Sequence, residues 1–181
     1  CLARKAYLSN REAAEQRPFE WRPRLKAADS ALTLALIERD ADIVSEAIRL
    51  YREVALLDPR TWWHWEWLAA AHIRVGQPEA ALEPLEKSLA ILDSVPRSAV
   101  SRLLQGMAYL DLDDPATALR SFDEAIRLDP NLADAYTNRG ASYNALGQYR
   151  RAVQDLDEAI KLNPRTALAY NNRGNSYGNL D

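Results

Sequence analysis

With 181 residues, 48% of them apolar, the chain is long enough for an ordinary domain with its own hydrophobic core. Charged residues make up 27% and the formal net charge is -3, so the basic excess that a general nucleic-acid binder needs against phosphate is missing. The single cysteine, Cys1, excludes an internal disulfide framework and a Cys-rich zinc site, and the longest apolar stretch, Ala31 to Ile37, is far too short to span a membrane.

Residues 1–27 form a basic segment, with seven Lys or Arg (Arg4, Lys5, Arg11, Arg17, Arg22, Arg24, Lys26) against three Glu. Leu2, Ala6, Ala13 and Ala14 predict a helix over residues 1–17, ended by Pro18. Pro23 disfavours helix in the residue before it, which predicts that Phe19 to Arg22 stay extended until Leu25 opens the next element, with Phe19 and Trp21 packed on it as a cap. Met107 is the only methionine, so residue 1 is no initiator. A chain that begins at Cys is what a mature bacterial lipoprotein looks like, its thiol carrying the lipid, with Arg4 and Lys5 adding electrostatic attraction to a membrane. Against lipidation, Leu2 to Tyr7 is not the polar tether common after such a cysteine, and a cut in a longer chain is the competing reading. The expected location is membrane-anchored on the first reading and cytoplasmic on the second.

From residue 28 onward the sequence repeats. Leu57-Asp58-Pro59 returns as Leu128-Asp129-Pro130 and, thirty-four residues later, as Leu162-Asn163-Pro164. The prolines define units 28–61, 62–98, 99–132 and 133–166 and a partial unit 167–181, the second unit having three extra residues in its tail. In unit 133–166, Tyr136, Gly140 and Tyr143 recur at helical spacing, as do Ala152, Leu156 and Ala159, which predicts two helices with one apolar face each. Gly147 ends the first helix in a left-handed residue and Pro164 ends the second. The equivalents are Gly106, Tyr109, Ala118, Phe122, Ala125 and Pro130 in unit 99–132, and Trp65, Leu68, Ala69, Gly76, Ala81, Leu85 and Ser88 in unit 62–98. Unit 28–61 supplies Leu34, Ala35, Ala47, Tyr51 and Pro59, with Glu38 at the aromatic place. The partial unit supplies Tyr170, Gly174 and Tyr177.

These residues resemble the tetratricopeptide repeat family, whose signature alternates large and small residues at such positions. The resemblance implies an all-α, right-handed superhelical solenoid of antiparallel helix pairs over residues 28–181, with further repeats expected after Asp181 to cover Tyr170, Tyr177 and Leu180. Arg139 and Arg173 stand where the family usually has leucine. They are expected to pair with acidic residues such as Asp155 or Asp157, a phosphate site being the alternative.

The resemblance also makes the spare side of each first helix a concave groove. Its expected lining is Trp63, Trp67 and Arg74, then Val100, Leu104, Met107 and Asp111, then Asp134, Asn138, Ala141 and Ala145, and last Leu168, Asn172, Asn175 and Asn179. Four of the five tryptophans fall within residues 62–67; Trp65 belongs to the core, and the other three read either as packing or as a ligand surface. Asn138 and Asn172 sit one period apart and suit an extended backbone, or are solvated polar surface. Repeat domains that hold chaperone tails grip a terminal carboxylate with Lys, Arg and Asn; here those places carry Leu32, Glu66, Leu103, Asp134 and Leu168, against that activity.

Catalytic signals are weak. His72 replaces a core aromatic and reads as packing, no acidic or cysteine ligand has metal spacing with His64 or His72, and neither a phosphate loop nor a nucleophile elbow is present. The sequence therefore predicts a noncatalytic scaffold, without metal or cofactor, that binds a protein or peptide partner within a larger complex. The alternatives are a membrane-anchored lipoprotein subunit and the appendage of an enzyme whose catalytic domain lies elsewhere. Nucleic acid is not an expected partner.

Overall fold

The computed structural model describes residues 2–92 and 98–180, and among these every regular element is an α-helix. The helices gather into two compact units, Cys1–Ile91 and Leu92–Asp181. The first holds α1 (Leu2–Gln16), α2 (Trp21–Glu38), α3 (Ala41–Leu57), α4 (Trp62–Arg74) and α5 (Pro78–Leu92). The second holds α6 (Ser98–Asp111), α7 (Pro115–Leu128), α8 (Ala133–Ala145), α9 (Tyr149–Leu162) and α10 (Ala167–Gly178). Cys1 and residues 93–97, which include the extra tail residues of the second repeat, lie outside the described residues.

Turns explain the regular spacing. Inside each helix pair one residue takes the left-handed conformation: Arg39 (φ 54°), Gly76 (φ 74°), Asp113 (φ 59°) and, as its sequence predicts, Gly147 (φ 68°). Aspartates then cap the second helix in two pairs: Asp40 accepts from the backbone of Asp42 and Ile43 before α3, and Asp114 accepts from Thr117 at 3.0 Å before α7. Between pairs, Asp129 and Asn163 each fold back to accept the backbone N–H two residues on, at 3.0 and 3.2 Å, and the following proline stops the helix.

Two expectations for the amino-terminal segment fail. α2 begins at Trp21 rather than after an extended Phe19–Arg22, and it runs across the boundary expected between residues 27 and 28. Pro23 occupies its first turn, where the missing N–H has no intrahelical partner to lose, so the restriction on the preceding residue is outweighed. Trp21 gains from this by stacking on His64 of α4, centroids 4.8 Å apart, whereas Phe19 points to solvent at 89% exposure and packs on nothing. α1 does act as a cover, burying Tyr7 and Ala14 against the α2–α3 core and bonding Asn10 to Ser30 at 2.6 Å.

Both units hold their pairs together by size complementarity. In the second unit Gly106 faces Phe122 and Gly140 faces Leu156 so closely that an added Cβ would lie 2.4 Å from Phe122 Cε1 and 2.7 Å from Leu156 Cγ. Ala69 and Leu85, buried in the first unit, are the equivalent positions. Tyr136 and Tyr143, expected in the core, are only half-buried beside Leu156 and its neighbours, with Arg139 and Arg151 over their rings. Phe122 is the largest fully buried side chain among the described residues, so Phe122→Ala is expected to cost about 3–5 kcal/mol in urea unfolding. Gly106→Ala is expected to cost about 1–3 kcal/mol, and Phe122→Leu added to it to recover part of that loss.

Candidate partner-binding surface

In the second unit the first helices of successive pairs, α6, α8 and α10, pack side by side, while the second helices α7 and α9 make no comparable contact with each other. We call the faces of α6, α8 and α10 turned away from α7 and α9 the inner face, after the groove that the resemblance implies. Leu104 and Met107 are half-buried on α6, with Met107 resting against the Leu103–Phe122 core, and Val100 is exposed. Asn138 and Asn172 are half-buried and Asn175 is exposed on α8 and α10. Asn138 and Asn172 are not bonded to each other, and one Nδ2 hydrogen of Asn138 is used locally, donated to the Asp134 carbonyl at 2.8 Å. The link between the two helices is made instead by Asn144, a residue the groove reading omitted. Its Nδ2 donates to the Asn172 carbonyl at 3.0 Å, and its Oδ1 accepts from the buried Ser176 hydroxyl at 2.7 Å. The inner face carries two carboxylates, Asp111 and Asp134, and no Lys or Arg at the lining positions.

On the flank of this face Arg139 is held as its sequence predicts, and more completely. Its Nε and Nη2 donate to the two oxygens of Asp155 at 2.7 Å each, and Nη1 donates to Asp123 of the preceding pair at 2.7 Å. Arg173 donates to Asp157 at 2.6 Å. One period earlier the same two places hold Gln105 and Ser121, whose hydroxyl donates to the Gln105 carbonyl oxygen at 3.4 Å. Earlier still they hold Leu68 with Pro84, and Leu34 with Leu50, all buried. The two places change together, from apolar to neutral polar to ionic, which keeps each pair matched. Stepping back by one period from Arg139 and Asp155 in the sequence would have revealed this.

In the first unit the tryptophan cluster divides. Trp63 is exposed at 37% and Arg74 is exposed, whereas Trp67 is half-buried against the α2–α4 core. For Trp67, one of the two readings open to it, packing, thus holds at least in part. His64 is fully buried, tilted between Trp21 and Trp67, with Nδ1 near the Asp58 carbonyl at 3.3 Å. Trp65 is buried as expected and its Nε1 donates to the Pro59 carbonyl at 3.0 Å. His72 is a buried packing residue: Nδ1 donates to Gln77 Oε1 at 3.0 Å, which leaves Nε2 without a partner. Among the described residues no three His, Cys, Asp or Glu side chains converge as a metal site would require.

Two family models described as tetratricopeptide repeat match the chain, over residues 103–147 and 133–165. The chain thus carries tetratricopeptide repeats over residues 103–165. No curated protein matches its sequence significantly. Among solved structures it is similar to MamA, at 27% identity and a TM-score of 0.65 over 78% of this chain and 81% of that one. It is also similar to the first repeat domain of Spaghetti (RPAP3) bound to the HSP90 peptide SRMEEVD, at 23% identity and a TM-score of 0.61 over 68% and 95%. The Cut9–Hcn1 hetero-tetramer of the APC/C matches at 21% identity and a TM-score of 0.75, over 99% of this chain and 34% of that one. The fold is thus the all-α helix-pair solenoid of tetratricopeptide proteins.

Two outcomes follow from these contacts. Asp155→Ser leaves the Arg139 fork without its bidentate partner and is expected to cost about 2 kcal/mol, whereas Arg139→Gln with Asp155→Ser, which recreates the preceding repeat, costs less than the sum of the singles in a denaturation cycle. Burial lowers the His72 pKa from 6.5, against a smaller opposing effect of its bond to Gln77. The unfolded chain then binds the proton first, so stability is lost as pH falls below 6.5. His72→Gln is expected to flatten that part of the difference in melting temperature between pH 7.5 and 5.5, both values being about one unit from the free imidazole value.

Proposed function

We propose that this protein is a protein-interaction scaffold whose second unit holds an extended, neutral or basic segment of a partner along α6, α8 and α10. One observation carries the reading: the inner face joins apolar anchors, Leu104 and Met107, to the side-chain amides of Asn138, Asn172 and Asn175, and its only charges are Asp111 and Asp134. Apolar anchors supply most of the binding energy in such contacts, while amides hold a backbone without selecting its sequence. A structural neighbour is bound to the acidic HSP90 peptide SRMEEVD. An acidic tail is a poor fit here, because two carboxylates would repel it and no cation on the face would offset them. Trp63 and Arg74 are the contacts proposed for the first unit, Trp63 through its exposed ring.

Degenerate peptide pools of positive, zero and negative net charge, titrated by calorimetry, test this. The positive and neutral pools are expected to bind more tightly than the negative pool, and Asp134→Lys on the exposed face to reverse the order while the protein stays folded. Leu104→Ala is expected to weaken binding by about 2 kcal/mol and Asn138→Ala by about 1 kcal/mol. A parent protein that prefers the negative pool would sink the reading.

A further inference from the structure

In the first unit Arg4, Arg11, Arg17, Arg24 and Arg49 each have a carboxylate within 4 Å. Arg39 and Arg74 have none among the described residues, yet both border one cavity of about 510 Å³ beside the turns that follow α2 and α4. Arg39 comes directly after α2 and Arg74 closes α4. The negative end of a helix dipole favours a cation, so both places tolerate an arginine without an acidic neighbour. Arg39 is nonetheless a costly choice. Its φ of 54° is the left-handed turn conformation that Gly76 and Gly147 hold in other pairs, and glycine takes it with less strain. A long side chain retained there points to a use for the guanidinium rather than for the backbone. Arg74 stands where the second unit has Asp111, so its charge is not a property of the repeat.

The rest of the cavity divides into donors and hydrocarbon. Gln77 gives its Oε1 to His72 Nδ1, and its amide hydrogens have no acceptor among the described residues. Leu36, which is 43% exposed, borders the cavity together with Val44 and Val75. No Asp or Glu lines it among the described residues. Cationic and amide donors beside exposed aliphatic surface suit an anion that carries a hydrocarbon tail, and the volume is that of a small-molecule pocket.

We propose that this cavity binds a small aliphatic carboxylate, its head held by Arg39, Arg74 and the Gln77 amide and its chain laid on Leu36, Val44 and Val75. A guanidinium matches a carboxylate in shape and in the direction of its hydrogen bonds. A phosphate is the poorer occupant. The backbone N–H groups that begin α3, the usual seat of a phosphate, are taken by Asp40, which accepts from Asp42 at 2.9 Å and Ile43 at 3.3 Å, and its charge opposes a doubly charged head nearby. The site goes beyond the scaffold reading and shares only Arg74 with the contacts proposed for it.

The probe is hexanoate, titrated into the isotope-labelled chain at constant ionic strength while the Val44 and Val75 methyl groups and the Arg39 and Arg74 Nε–H are followed by NMR. These signals are expected to shift along one saturation curve. Acetate is expected to bind about tenfold more weakly, since it leaves the aliphatic surface uncovered, and hexanamide about tenfold more weakly for want of charge. Arg39→Gln with Arg74→Gln is expected to bind hexanoate and hexanamide alike. Leu36→Asn, a change at an exposed position, is expected to lose most of the preference for hexanoate over acetate, and both variants to melt with the parent. No saturable shift up to roughly tens of millimolar hexanoate, equal affinity for hexanoate and hexanamide, or tighter binding of hexyl phosphate than of hexanoate each overturns the proposal. So does a capped peptide with glutamate beside leucine that saturates the same signals at about a tenth of the hexanoate concentration, which would make the ligand a protein segment. Leu104→Ala and Asp134→Lys leave hexanoate binding unchanged, so failure here is separate from failure of the inner-face reading.

Discussion

The close contact between the two helices of a pair is the constraint on which the rest depends. A residue with little or no side chain on the first helix lets the second approach until a large side chain, Phe122 or Leu156, lies against bare backbone. Packing of this kind gains dispersion contact along the whole seam, and it also fixes rotation and sliding, because the large side chain fits at one place only. The residues immediately before the contact on each helix are then brought within bonding distance of each other. Gln105 and Ser121 precede Gly106 and Phe122, and Arg139 and Asp155 precede Gly140 and Leu156. The ion pair is thus a consequence of the glycine contact rather than a separate device.

What the ion pair adds is discrimination more than stability. The Arg139 and Asp155 side chains are 19% and 10% exposed, so much of their attraction is offset by lost hydration. A wrong partner is the costly case: α7, with Ser121 at this place, would leave an arginine desolvated and half-bonded, and α9 against α6 would set Asp155 on Gln105 without a cation. Neighbouring repeats of nearly equal shape are liable to exchange partners during folding, and matched chemistry that differs from pair to pair opposes it. The apolar pairs Leu34–Leu50 and Leu68–Pro84 lack that filter; in the first unit Tyr51, bonded to Asp29, and Arg24, bonded to Glu53 at 2.9 Å, supply polar links between α2 and α3.

Most of this was legible in the sequence because a thirty-four-residue period reports on itself: each copy tests the assignment of the others. Gly140, Ala152, Leu156 and Ala159 announced the seam, and Gly147 the left-handed turn. The reading failed where no copy existed to compare. The start of α2 was misjudged because Pro23 was weighed for its effect on Arg22, while its harmlessness in a first helical turn was not. The surroundings of Trp67 and His64 were not legible for another reason. Helical periodicity places a residue on a face but cannot say that Trp21, from a segment outside the repeat, folds over that face and stacks on His64. Long aromatic side chains at the edge of a stripe reach cores that their Cα positions do not suggest.

The binding face proposed for the second unit depends on the same hierarchy. Core residues settle the spacing of α6, α8 and α10, and the Asn144 bonds to Asn172 and Ser176 then tie α8 to α10 from their polar side, leaving little for a ligand to rearrange. An interface organised before binding spends less of its contact energy on ordering itself. The amides also differ in what they still offer. Asn138 has committed one of its two Nδ2 hydrogens to the Asp134 carbonyl, which leaves one N–H and the acceptor oxygen. Asn172 and Asn175 retain side chains with both functions, able to accept from an N–H and donate to a carbonyl. An extended segment presents N–H and C=O alternately along one edge, and on the proposed reading side-chain amides that accept and donate along α8 and α10 follow that alternation without reading the side chains.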